Sequence, residues 1–192
     1  MRLVLASTSQ YRRALLDAAG IRYEAVSPPF VEEHGHAREP SELVVELARG
    51  KAESLAAQLP DALILGADQI PAVDGRVLTK PGSRDAAIEQ LRALSGREHR
   101  LFTAVAVHEP ASGRTLTRTV IHVMRMRALT EAQLAAYVDR DQPFDCAGAY
   151  KVEAAGALLF EAMEGVDHTA IVGLPLTAVA ELLLAFGHDV LG

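Results

Sequence analysis

The sequence predicts an α/β fold: a single domain over residues 1–192 with a mixed central sheet flanked by helices. Three observations carry this reading. Stretches that alternate like strands are interleaved with stretches that repeat at helical spacing along the whole length. No linker, low-complexity tract or internal repeat divides the chain. A chain of 192 residues is long enough for one sizeable core and short for two.

The elements follow in order. Arg2 to Ala6 reads as a buried strand, Ser7 to Ser9 as a loop, and Gln10 to Ala19 as a helix with Ala14, Leu15, Ala18 and Ala19 on one side. Gly20 suits the helix exit. "IRYEAVSPPF" alternates like a strand until its prolines break it, and "VEEHGHAREP" reads as a loop. Ser41 is expected to cap a helix through about Gln58, with Gly50 inside it marking a kink or a close approach. "ALILGADQI" is a buried strand expected to end in a polar turn, and "AVDGRVLTKP" a hairpin turning at Asp74-Gly75. A helix covers Ser83 to Leu94. "RLFTAVAVHEP" and "RTLTRTVIHVMRMRAL" are strands joined by "PASG", and Thr130 caps a helix from Glu131 to about Val138. "GALLFEAMEG" reads as strand and turn. "HTAIVGLPLTAVAELLLAFG" reads as a strand leading into a last helix, with Pro175 near the start of that helix.

Composition excludes some functions. The formal net charge of −6 does not suit general binding to nucleic acid or to an acidic membrane. No apolar run approaches the ~20 residues that span a bilayer, and "MRLVLASTSQ" turns polar too soon for a signal peptide. Cys146 is the only cysteine, so neither an intrachain disulfide nor a cysteine metal cluster is expected, which fits a reducing cytoplasm. Cys146 itself reads as a small buried residue.

The candidate chemistry begins at "LASTSQYRR". A strand, a hydroxyl-rich loop and a helix start form an anion site: free backbone N–H groups, the hydroxyls of Ser7, Thr8 and Ser9, and the guanidinium groups of Arg12 and Arg13 all suit phosphate oxygens. Arginine has the wrong sign for the positive end of a helix, so something negative is expected to meet it. An ordinary serine cap followed by two solvated arginines explains the stretch equally well. The motif is not a P-loop, since no Gly-x-x-x-x-Gly-Lys-Ser/Thr occurs. Asp68 in "GADQI" follows a buried strand, where open α/β sheets place ligand sites, and could hold Mg²⁺ or accept a proton from water. By itself it reads as a turn aspartate. Glu32 and Glu33 read as a solvated loop edge, Lys51 and Lys80 as surface lysines, and His34 and His36 as loop residues without metal-site spacing.

Order and spacing join these signals. "LASTSQYRR", "VEE", Lys51, "GADQ", "TKP" and "FDCAGAYKVE…GLPL" together resemble the Maf family of nucleoside triphosphate pyrophosphatases, from Arg2 to the last helix. The aromatic before the paired arginines, the "DQ" and the "CAGAYK-V-E" segment resemble the branch that acts on 7-methyl-GTP. The resemblance implies a Maf/ITPase-like fold, hydrolysis between the α and β phosphates, a divalent cation (Mg²⁺ or Mn²⁺) and a homodimer. By position it implies that Ser7, Ser9, Arg12 and Arg13 bind phosphate and that Asp68 accepts a proton. It also implies that Glu33, Lys51 and Lys80 line the cleft, that Glu33 and Asp68 hold the metal, and that Tyr11, Gln69 and Glu153 select the base. The sequence departs from the family in "VEEHGHAREP", where an aspartate before the glutamate and a Thr-Pro after it are more usual, and in the threonine before Lys80, where glycine is usual. The alternatives are a dTTP or UTP pyrophosphatase of the same family, and a nucleotide-responsive regulator of septum formation and cell division.

Overall fold

The computed structural model describes residues 1–31 and 39–192, so Glu32, Glu33, His34 and His36 lie outside the described residues. Among the described residues, seven strands form one sheet in the order β2-β1-β3-β5-β6-β7, with β4 paired to β3. They are β1 (Arg2–Ala6), β2 (Glu24–Val26), β3 (Ala62–Val73), β4 (Arg76–Val77), β5 (Glu98–Glu109), β6 (Arg114–Met126) and β7 (Phe160–Glu164). β1 runs parallel to β2 and to β3, whereas β3–β4 and β6–β7 are antiparallel, so the sheet is mixed as expected. The helices are α1 (Gln10–Ala18), α2 (Pro40–Glu53), α3 (Arg84–Leu94), α4 (Glu131–Asp141), α5 (Thr169–Val172) and α6 (Leu176–Leu184).

The chain falls into two compact units, Met1–Gln69 with Thr103–Val120 and Asp167–Gly192, and Ile70–Phe102 with Ile121–Val166. In the first, the leucines of β1 and β3 and the valines of β5 form one buried cluster with Leu16 of α1 and Val179, Leu182 and Leu183 of α6. Each such side chain contributes about 1.5–3 kcal/mol by leaving water. In the second, α3 and α4 are joined by Arg84–Asp139 and Arg92–Glu131, exposed pairs worth at most about 1 kcal/mol each. His99, Tyr150 and Phe160 cluster there, with Tyr150 edge-on to Phe160.

Local signals explain many boundaries. Ser9 and Ser83 cap α1 and α3, and Thr130 with Gln133 forms a capping box at α4. Asp74 and Gly75 take positive φ angles of 49° and 74°, as a type I′ hairpin requires.

Five expectations are corrected. Ser41 is inside α2 rather than its cap: Pro40 takes the first turn, after Glu39. That helix ends at Glu53, where Ser54 Oγ turns back to the Lys51 carbonyl. "GADQI" is not a strand end, because β3 runs unbroken to Val73. "TAIV" is a turn of helix, not a strand, held by side-chain bonds from outside itself. Cys146 is half-buried rather than buried.

Candidate active site

The Ser7–Ser9 loop leaves the end of β1 through a tight turn, in which the Ser7 N–H donates to the Leu5 carbonyl. Ser7 is 6% exposed. Its Oγ accepts the Ser9 N–H at 3.1 Å and Arg12 Nη1 at 3.3 Å, while its own proton goes to no described residue. A hydroxyl so held is oriented to donate to an incoming oxygen. Ser9 Oγ accepts the Arg12 N–H at 3.4 Å.

The two arginines part company. Arg12 turns inward and donates through Nε to the Gly173 carbonyl at 2.9 Å. Arg13 is exposed, and its guanidinium makes no hydrogen bond or ion pair with a described residue. Arg12 is thus in part a structural clamp on the Ser7–Ser9 loop, and Arg13 is an exposed cation without a described partner. Tyr11 is half-buried on the first turn of the same helix.

Lys51 and Asp68 are both 7% exposed, and Lys51 Nζ meets Asp68 Oδ1 at 2.5 Å. Lys51 is not the surface lysine, nor Asp68 the turn aspartate, that its local sequence suggests. Gly66 allows the pairing: a Cβ there would lie 2.2 Å from the Ala48 carbonyl and 2.8 Å from the Ala52 nitrogen. Ala48, Lys51 and Ala52 share one face of α2, so that face sits directly on β3 and carries the lysine to the aspartate. Gly50 has the close approach its position suggests, with Phe30 filling the space of a side chain.

Gln69 is fixed by its amide nitrogen. Nε2 donates to Ala170 O at 2.7 Å, Ile171 O at 3.0 Å and Thr103 Oγ1 at 3.1 Å. Thr103, fully buried, passes its own proton to Ala170 O at 2.9 Å. Sequence reasoning expects Gln69 to offer its amide to a base or ribose. The N–H donors are committed within the protein, and Oε1, an acceptor, is the atom without a described partner.

Lys80 and Glu153 belong to the second unit. Lys80 is exposed on the loop between β4 and α3 and makes no ion pair with a described residue. Glu153 lies on a turn closed around the Lys151 carbonyl, which accepts the N–H groups of Ala154 and Gly156. α4 brackets that turn: Tyr137 Oη accepts the Lys151 N–H and Asp141 Oδ2 the Ala155 N–H, both at 2.9 Å. Partial removal from water, aided by Asp145 and Asp141, raises the Glu153 carboxyl above its ordinary range despite Lys151.

A hydroxyl-rich turn, a buried ion pair and an exposed arginine suit a small anionic ligand. A family model described as Maf-like protein matches residues 2–186. The chain belongs to the Maf family. A relative from Alkalilimnicola ehrlichii named 7-methyl-GTP pyrophosphatase is 46% identical over 99% of this chain and 96% of its own length. Another of that name from Syntrophotalea carbinolica is 41% identical over 99% and 97%. The Ham1 protein of Staphylococcus aureus superposes with a TM-score of 0.52 at 16% identity, covering 97% of each chain. That likeness speaks for the fold alone, and it agrees with the expected Maf/ITPase-like architecture.

Sequence reasoning singles out the candidate residues Ser7, Arg12, Asp68 and Gln69 and misses the groups that hold them. Thr103 and Asp167 carry no motif, but the glycine in the apolar run of β3 is a signal of close backbone approach.

Proposed function

We propose that this Maf protein hydrolyses the α–β anhydride of 7-methyl-GTP, giving the monophosphate and pyrophosphate and so removing a modified nucleotide. One structural observation carries most weight. Lys51 of α2 and Asp68 of β3 are buried together where the helix packs on the strand, an arrangement that stability does not demand, since an apolar pair would serve a core as well or better. Full-length similarity to proteins named 7-methyl-GTP pyrophosphatase supports the substrate.

In this reading Ser7, Ser9 and Arg13 bind phosphate oxygens, and Arg12 holds Ser7 in place. A water adds to phosphorus at the α–β link and gives its proton to Asp68. The phosphorus–oxygen bond to the leaving pyrophosphate breaks, and its electron pair departs with the pyrophosphate. Lys51 orients Asp68 and offsets charge, as Lys80 does by resemblance. Tyr11 offers an aromatic face to the cationic methylated ring, and Glu153 accepts from the guanine N1–H and 2-amino groups. The protein is further proposed to be cytoplasmic and homodimeric.

A divalent cation fits the donor chemistry. No group of three or more His, Cys, Asp or Glu side chains among the described residues could cage a metal. A hard cation held by one or two carboxylates and by substrate phosphates needs no such cage. Asp68 would hold it, joined in the proposal by Glu33. When bound it supplies charge neutralisation on the triphosphate.

Product analysis by phosphorus NMR after incubation with 7-methyl-GTP and Mg²⁺ or Mn²⁺ tests the reaction. The expected product is pyrophosphate. Orthophosphate and a nucleoside diphosphate would refute α–β cleavage.

A further inference from the structure

α5 is one turn long, too short to be stable by itself. It nevertheless receives four hydrogen bonds from side chains next to the candidate chemistry. Ala170 O accepts from Gln69 and Thr103, Ile171 O from Gln69, and Gly173 O, at the exit of the turn, from Arg12. A single buried carboxylate holds this acceptor array. Asp167, 5% exposed, takes the Thr169 N–H at 2.9 Å and O–H at 2.5 Å on Oδ1, and the Thr177 N–H at 2.9 Å and O–H at 2.7 Å on Oδ2. Thr169 Oγ1 then accepts the Leu176 N–H at 2.9 Å, which closes the link to α6. The carboxylate therefore joins the two ends of the segment that carries the carbonyls.

We propose that Asp167 is a positioning residue for the reaction, acting through α5. It fixes the three carbonyls that orient Gln69 beside Asp68 and Arg12 beside Ser7. Asp167 touches neither substrate nor reacting atoms. Its removal misplaces two groups at once, Gln69 on β3 and Arg12 on α1, because both lean on the same turn. Gln69 then loses the orientation that leaves Oε1 as its open acceptor. The proposal rests on the nucleotide pyrophosphatase reading only for its kinetic arm.

Asp167→Asn keeps an oxygen for the Thr169 pair and sets an amide against the Thr177 N–H. In the full-length protein, Asp167→Asn is expected to lower the preference for 7-methyl-GTP over UTP about tenfold and to raise KM for both nucleotides. In a Gln69→Ala background the same change is expected to leave the preference where Gln69→Ala put it. A folded Asp167→Asn protein with wild-type preference and KM overturns the proposal, as do effects on the preference that multiply with those of Gln69→Ala. A second measurement needs no nucleotide and separates this proposal from the substrate assignment. The Gln69 side-chain amide protons, followed by NMR in the ligand-free protein, should exchange slowly with solvent. They should exchange at least tenfold faster in Asp167→Asn, or in Thr177→Val, which deletes one of the four bonds to the carboxylate and preserves the fold if Asp167→Asn does not. Exchange at the rate of a free glutamine in wild type, or unchanged by both substitutions, overturns the proposal.

Discussion

At the scale of single residues, Lys51 and Asp68 set the terms of the proposed chemistry. Each keeps the other's charge tolerable in a buried place, so removing one leaves the other stranded. Asp68→Asn, which retains an acceptor for Lys51, is expected to cost about 1–3 kcal/mol of stability and about 10²–10⁴-fold in turnover. Combining it with Lys51→Met should restore most of the stability and none of the activity. Denaturant melts alongside pyrophosphate release check both halves, and a folded, active Asp68→Asn protein would remove the aspartate from the mechanism. Arg13→Ala should raise KM sharply without loss of stability. Its exposed charge opposes the positive end of α1, an effect of about 0.3–1 kcal/mol at most. A drop in melting temperature with unchanged KM would make Arg13 structural. Glu153 brings a pH dependence. Its raised pKa keeps the proton at pH values where an ordinary glutamic acid has lost it, so the carboxylate form is present above the raised value and lost as pH falls through it. The preference for 7-methyl-GTP over UTP should therefore fade on acidification at a higher pH than the ordinary 4.5 would give, and Glu153→Gln should flatten that dependence.

At the scale of elements, the approach of α2 to β3 makes the buried pair possible. Gly66→Ala would put a methyl group against the Ala48 carbonyl and force helix and strand apart. The expected cost is about 1–3 kcal/mol of overpacking, with a disproportionate fall in turnover as Lys51 leaves Asp68. A variant that melts lower but keeps wild-type kcat would separate the packing from the chemistry. The same pair shows where the sequence stops being readable. The caps at Ser9, Ser83 and Thr130 and the Asp74-Gly75 turn are local, so their elements were legible. An Asp-Gln pair after an apolar run reads locally as a strand end. It continues the strand because Lys51, 17 residues earlier, satisfies the aspartate, and because Thr103 and α5 satisfy the glutamine. The β-branched "TAIV" misreads as a strand for a similar reason: Asp167 imposes the turn through Thr169 and Thr177. The residues proposed to face the ligand stood out because their types suit a phosphate. The groups that hold them were not, because their partners are distant in sequence.

At the scale of the molecule, the fold also has a built-in acid limit. His99 is 2% exposed, and burial pulls its pKa down to about 4 from 6.5. A depressed histidine pKa means that the unfolded chain binds the proton more readily. Stability is then lost as pH falls from about 6.5 towards 4, by about 3 kcal/mol in all. Melting temperatures across that window should show the loss, and His99→Phe, which cannot titrate, should remove it. An unchanged acid slope in His99→Phe would assign the effect elsewhere. The central claim, however, concerns the base and not the fold. The most direct test is kcat/KM for 7-methyl-GTP, UTP and dTTP at equal, sub-saturating concentrations with Mg²⁺ or Mn²⁺, read as pyrophosphate released. The account predicts that 7-methyl-GTP is turned over well ahead of both pyrimidine nucleotides. Faster hydrolysis of UTP or dTTP would contradict it.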